Sequence, residues 1–364
     1  MDCTVKGNLP SEIFEDIKII ADNRINSQQL KNKTVFVSDC HGLIAHYIIC
    51  ALLEGNDSYG NNTRVITLAK SRDDAEKQFG SLTLRKDFVV EIGDSRAFPE
   101  IERADFVINC DYPCEVAEED CSNPKIADTI ISGFANVLEY AKKSNAESVL
   151  LISSYMIYGE VFSGKNTISE SDLGYLNPTD AYSAYAQSMR SAETLAVCYA
   201  DKFGMNVKIA RPCPTLGGVR MSNERKWAKL IVSAAKSQSI MLADNGGEKF
   251  SFCYVTDTVS ALIDILLNGK SGEAYNISND NANVTMREFA QLVKSAVPEK
   301  NLSVVFVRRE YEEEPEFSPS SPTPYVLCND KIKSLGFTPK VTLKDGIKRS
   351  IKSTELRAEL RRIK

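Results

Sequence analysis

Apolar and polar positions trade places along this chain in two rhythms. Short runs rich in β-branched residues, TVFV (34–37), RVITLA (64–69), DFVVEIG (87–93), DFVINC (105–110), SVLLISS (148–154) and NVKIARP (206–212), are each bounded by polar turns. Between them lie stretches with apolar residues at helical spacing, among them one after residue 42, ISGFANVLEYAKKS (131–144) and about 182–203. Near-continuous apolar strands alternating with helices predict a parallel sheet covered on both faces, a doubly wound α/β fold. From about residue 214 the alternation weakens into a helix near 226–237, the strand-like FSFCYV (250–255), a helix over TVSALIDILL (258–267) and the segment EAYNIS (273–278). That part reads as a smaller lobe closing over the carboxyl ends of the strands, where such sheets take their ligands. The predicted organisation is a helical extension over 1–30, serving as an amphipathic cap or an oligomer contact, a main α/β domain over 31–213, and a lobe over 214–364 with some segments returning to the core. The acidic, proline-rich REYEEEPEFSPSSPTP (309–324) reads as a solvated loop.

The break between the first strand and its helix, in TVFVSDCHGLIAHYIICAL (34–52), is where a dinucleotide would be held. A phosphate-binding turn wants small residues at fixed offsets, so that the backbone of the helix N-terminus, here Gly42, Leu43 and Ile44, can approach a pyrophosphate. The offsets hold Asp39, Gly42 and Ala45. Gly42 keeps the middle glycine and Ala45 permits close packing, but Asp39 places a carboxylate where a glycine would face a charged ligand. At 4 Å that repulsion costs roughly 1 kcal/mol in water and about 4 kcal/mol at an effective dielectric of 20. Hydrogen bonding of Asp39 to a ribose hydroxyl is the alternative.

Composition acts mainly by exclusion. Forty-four basic against forty-nine acidic residues give a net charge of −5, which argues against a general binder of nucleic acid or membrane surfaces. The first residues, MDCTVKGNLPSEIF, lack a basic stretch followed by an apolar run, so a soluble cytoplasmic protein is expected. Ten cysteines stand singly, as at Cys50, Cys198 and Cys253, which suits reduced thiols better than a disulfide framework. Cys110, Cys114 and Cys121 form the one cluster. With His41 and His46 distant in sequence and no paired CxxC, no metal site is expected.

VFVSDCHGLIA, VINCDYP, SSYMIYG, YAQSMRSAE, RPCPTLGGVRM, FSFCYVTD and EAYNIS stand in the order and spacing of the extended short-chain dehydrogenase/reductases. Over about 32–350 the chain resembles an NAD-dependent epimerase/dehydratase of nucleotide sugars, which implies a Rossmann-like dinucleotide-binding domain and a substrate lobe. In that family a Ser or Thr, a Tyr and a Lys four residues later act with a nicotinamide. The resemblance puts Ser154 and Tyr185 in the first two roles, but the lysine position is Met189. A tyrosine at its reference pKa of about 10 is only about 0.1% ionised at pH 7, and lowering that value to 7 takes about 4 kcal/mol that methionine cannot supply. Arg190 is adjacent, but one step along a helix turns a side chain by about 100°, away from that position.

The resemblance also assigns the ligand contacts. Cofactor contacts fall on Asp39, Gly42, Leu43, Ile44, Lys70, Asp94, Cys110, Tyr185 and Met189, and substrate contacts on Arg211, Arg220 and Lys249. Lys70 and Arg72 follow the second strand where an acid would hold the ribose of NAD, which tilts toward NADP; a solvated turn is the ordinary alternative. Asp94 resembles the aspartate that contacts adenine, with a turn cap as its alternative. Asp111 is a second carboxylate beside the expected polyanion. Ile130, Pro214 and Phe250 replace an asparagine, another asparagine and an arginine of the family pattern. Tyr155 and Met156 stand where 4,6-dehydratases carry an Asp–Glu pair, and Met156 stands where sugar-acid decarboxylases carry a glutamate. The expectation is an NAD- or NADP-dependent epimerase or ketoreductase of a nucleotide sugar, a homodimer, in envelope polysaccharide assembly. A catalytically silent relative that binds a nucleotide sugar or a partner subunit is the second reading, and a sugar-acid decarboxylase, which the chain resembles in GGVRM, is the second-rank enzymatic alternative.

Overall fold

The β-branched runs extend as expected, and seven strands join in one parallel sheet. The computed structural model describes residues 2–25, 27–111, 122–161, 167–221, 223, 225–242, 246–306 and 326–363, with side chains as far as Arg357. Cys114, Cys121 and the acidic stretch 309–324 lie outside the described residues. The strands are β1 (Thr34–Val37), β2 (Arg64–Ala69), β3 (Phe88–Ile92), β4 (Phe106–Asn109), β5 (Ser148–Ile152), β6 (Val207–Pro212) and β7 (Ala274–Ile277). Their order across the sheet is β7-β6-β5-β4-β1-β2-β3. The winding direction reverses between β1 and β4, and the crevice beyond those two strand tips is where an open α/β sheet takes its ligand. Register brings the tips level, since Val37 pairs with Ile108. The Ser38 hydroxyl oxygen then accepts from the Cys110 N–H at 3.0 Å, tying the two loops that line the crevice.

The longer helices among the described residues are α1 (Ser11–Ile20), α2 (Leu43–Tyr59), α3 (Arg72–Phe79), α4 (Phe134–Ser144), α5 (Ala184–Phe203), α6 (Lys226–Ala235), α7 (Val255–Asn268), α8 (Met286–Ala296) and α9 (Leu343–Ile363). From Ile44 to Gly55 every residue of α2 is buried, so it is held by packing on all sides rather than by one apolar stripe. Gly60 ends it in the left-handed conformation, φ 61°, with its N–H bonded back to Asn56. Helix α7 is buried over almost its whole length and packs on β5 and β6. It and β7, which adds beside β6, are the segments of the C-terminal part that return to the core. Short strand pairs build the lobe: Thr215–Leu216 with Cys253–Tyr254, Lys249–Ser251 with Asn283–Thr285, and Ile240–Leu242 with Val304–Phe306. FSFCYV is two strands rather than one, because the Phe252 N–H turns aside to the Ala282 carbonyl at 3.0 Å.

The N-terminal extension caps its own chain. Ile13, Ile17 and Ile20 of α1 are buried, and the helix packs on α2 and α7. Asp16, 1% exposed, accepts from the Tyr254 hydroxyl at 2.5 Å, the Tyr47 hydroxyl at 3.4 Å and the Arg349 guanidinium at 2.7 Å. Four distant parts of the sequence thus meet on one carboxylate.

Candidate functional site

The crevice begins at the turn that follows β1. Gly42 is the N-cap of α2, no side chain caps the helix and its first turn holds no acid, so the N–H groups of Leu43 and Ile44 are offered at a helix N-terminus. Ala45, 1% exposed, is packed as tightly as the motif requires. This backbone fits a pyrophosphate. The side chains of the same turn are engaged with one another: Asp39 Oδ1 lies 2.8 Å from His41 Nδ1, and Cys40 Sγ lies 3.6 Å from that nitrogen. Burial, with the Asp39 carboxylate adding to it, pushes the Cys40 thiol up to about 12, which rules it out as a nucleophile at neutral pH. Arg220 reaches across from the loop after β6 and donates to the His41 carbonyl at 3.1 Å.

The far side of the crevice carries Asp94, Cys110 and Asp111. Asp94 accepts from the Arg96 N–H at 2.8 Å and pairs with the Arg96 guanidinium, which holds its carboxyl below the usual range. This is the turn-cap geometry, with the adenine role now competing against a bidentate arginine. Asp111 corrects the charge count drawn from the sequence. Burial, reinforced by the negative charges of Asp39 and Asp94, raises its carboxyl to about 8, and Ser95 is its hydrogen-bond partner. At neutral pH Asp111 is therefore largely protonated, and one of the two expected repulsions is absent. Lys70 is exposed at the end of β2, free to meet a ribose or its phosphate. A dinucleotide fits this cleft through backbone contacts, and of the two repulsions expected from the sequence the one from Asp39 remains.

The candidate catalytic pair stands on the neighbouring elements. Ser154 follows β5 and opens a 3₁₀ turn, Tyr155–Tyr158, with its Oγ accepting from the Met156 N–H at 3.2 Å. Tyr185 lies in the first turn of α5, 3% exposed, and Met189 one turn later is 1% exposed. Arg190 does not reach toward Tyr185. Its guanidinium donates to the carbonyls of Ile157 at 2.7 Å, Tyr158 at 3.3 Å and Gly174 at 2.8 Å, so it locks the Ser154 turn onto the helix that carries Tyr185.

The substrate side is redistributed. Arg211, 5% exposed, spends its guanidinium inside the protein: on Glu193 at 2.6 and 3.0 Å, on the Tyr158 hydroxyl at 3.0 Å and on the Glu170 carbonyl at 2.8 Å. It supports the strand tip, and the expected contact with a sugar diphosphate would have to displace those partners. Lys249 is exposed on the first strand of a two-stranded edge, while Phe250 leans on Phe252 with ring centroids 6.3 Å apart. Three partners escaped the sequence reading: Glu193, Ser95, and the donor set of Asp39, Cys40 and His41, whose ligand atoms lie within 4.8 Å of one another. Glu193 had a sequence signal, an acid on the helix face that also carries Tyr185, Met189 and Ala196, which obliges a buried cation to meet it.

Comparisons with known proteins agree with this architecture. A UDP-glucuronic acid decarboxylase of Arabidopsis thaliana is 31% identical over 229 residues, 62% of this chain and 62% of that protein. The chain thus spans less than two thirds of that relative's length. A low-salt glycan biosynthesis protein of Haloferax volcanii is 26% identical over 317 residues, 86% of this chain and 96% of that one. Among solved structures, an epimerase from Methanothermobacter thermautotrophicus superposes with a TM-score of 0.76 over 97% of this chain and 98% of its own, at 19% identity, a likeness of fold. Among the described residues no helix is long and apolar enough to cross a membrane. Residues 40–278 match the family model described as the NAD dependent epimerase/dehydratase family, and the chain belongs to that family.

Proposed function

We propose that the chain is an NAD- or NADP-dependent epimerase or ketoreductase of a nucleotide-activated sugar, serving the assembly of cell-surface polysaccharide. The observation that carries this reading is the bonding of Arg190, on the helix α5 that also carries Tyr185, to the carbonyls of Ile157 and Gly174, which holds the turn opened by Ser154 against that helix. Gly42, Leu43 and Ile44 would hold the pyrophosphate through their backbone, Lys70 the adenosine ribose or its phosphate, and Cys110, Tyr185 and Met189 would pack along the dinucleotide. Arg220, alongside its bond to the His41 carbonyl, and Lys249 would meet the sugar diphosphate. The bound nicotinamide supplies reversible acceptance of hydride. Tyr185 takes the proton of the sugar hydroxyl as it becomes a carbonyl and returns it on reduction. The Ser154 oxygen already accepts from the Met156 N–H, which leaves its own proton to donate to the developing carbonyl oxygen.

The decarboxylase relative does not extend to this chain's chemistry in the same way, because Met156 offers no proton where that chemistry places an acid. The silent reading is favoured by one observation, the burial of uncharged Met189 one turn from Tyr185. A thermal-shift screen against NAD, NADP and a panel of nucleotide sugars, followed by chromatography of the sugars after incubation with a stabilising dinucleotide, separates the two. The enzyme predicts stabilisation by a dinucleotide and interconversion that Tyr185→Phe lowers at least about a hundredfold. Stabilisation by nucleotide sugars alone, with no interconversion, establishes the binding protein instead.

A further inference from the structure

A phosphate-binding turn needs small side chains, yet this one spends three successive positions on a carboxylate, a thiol and an imidazole. Each is a metal ligand of a different kind. Their donor atoms converge: Cys40 Sγ and His41 Nδ1 are 3.6 Å apart, His41 Nδ1 and Asp39 Oδ1 are 2.8 Å apart, and all three atoms lie within 4.8 Å of one another. A zinc ion with S at about 2.3 Å and N or O at about 2.0–2.1 Å holds its tetrahedral ligands about 3.3–3.6 Å apart. The sulfur–nitrogen pair already stands at that separation. The nitrogen–oxygen pair needs to open by about half an ångström, within reach of two side chains that are each 24% exposed. Asp74 in the first turn of α3 adds negative charge that acts on both Cys40 and His41. Arg220, donating to the His41 carbonyl, pins the backbone of the turn from the other side.

We infer that Asp39, Cys40 and His41 form a site for a thiophilic divalent cation of the zinc class, with its remaining position open toward the cleft for water or a phosphate oxygen. Binding replaces the proton of the Cys40 thiol, so the metal–sulfur bond forms as that proton leaves to solvent. The ion offsets the Asp39 charge that opposes a polyphosphate at this turn. It turns Asp39 from a misfit into an anchor. The inference goes beyond the proposed reaction, and it stands or falls without it.

Cobalt(II) titrated into the purified full-length chain, free of dinucleotide, tests this directly. The expected result is one bound ion per chain with visible d–d bands of a tetrahedral complex and a near-ultraviolet thiolate-to-cobalt band, displaced by zinc. Cys40→Ser abolishes the thiolate band, and Cys198→Ser, on the exposed face of α5, leaves it intact. Asp39→Asn and His41→Ala, at positions more exposed than Cys40 that keep the fold if Cys40→Ser does not, each weaken zinc binding by at least about tenfold in calorimetry. A titration with no thiolate band, or one that survives Cys40→Ser, overturns the site. So does unchanged zinc affinity in both of the other variants.

Discussion

Asp111 shows how a single residue changes sign between sequence and structure. In the sequence it is a second negative charge beside a polyanion; in the fold it carries a proton to about pH 8. Its ordinary value is 3.8, so below that pH both the folded and unfolded chains are protonated and the residue is neutral in its effect. As pH rises from there to about 8 only the folded chain keeps the proton, and stability declines across that window before levelling off. Asp111→Asn is therefore expected to raise the melting temperature by more at pH 9 than at pH 5. NAD binding to the unaltered protein should weaken as pH climbs through about 8, while the variant's binding stays level; calorimetry across pH 7–9 checks both. Met189 makes a second case. A lysine there would set a positive charge one helical turn from Tyr185, and Met189→Lys is expected to increase turnover of the nucleotide sugar about tenfold or more, with some loss of melting temperature from burying an ammonium. Unchanged turnover in a folded variant would mean that Tyr185 is not the base.

At the scale of elements, the polar network on Asp16 decides where the first helix sits. Removing the carboxylate strands the buried Tyr254 hydroxyl and takes one bond from the part-exposed Arg349 guanidinium, so Asp16→Ala is expected to cost about 2–3 kcal/mol in urea unfolding, while Asp16→Asn retains part of it. The sheet and its helices were largely legible beforehand, because period and length are local properties: RVITLA is a strand over the residues read, and NVKIARP loses one residue. What failed depends on partners distant in sequence. The helix read from Ile131 to Ser144 is helical throughout but starts earlier, at Pro124, and it widens over Thr129–Gly133, where Ile130 and Gly133 are buried. EAYNIS looked like part of the lobe, yet Ala274–Ile277 finds β6 as its neighbour. Arg211 matched a substrate-binding motif, and only the fold shows Glu193 lying against it, with Ser153 donating to the same carboxylate at 2.5 Å. The site was legible as positions and illegible as charges, since protonation and pairing are set by neighbours that no local window contains.

For the whole molecule, the outer face of α5 is the surface to watch. Val197 is 45% exposed and Phe203 50%, beside the α4 residues Lys142 and Glu139, which contact Phe203 and Tyr199. A dimer formed through α4 and α5 would cover these apolar groups, and the paired substitution Val197→Asp with Phe203→Asp is then expected to shift the sedimentation coefficient to that of a monomer. A monomer before substitution would remove that expectation. The meeting of residues 16, 47, 254 and 349 has a consequence for synthesis. The carboxylate made first must wait for an arginine that leaves the ribosome more than three hundred residues later. Until then the nascent chain has no cation to pair with that acid, so α9 is expected to act as a latch whose docking completes the seat of the first helix.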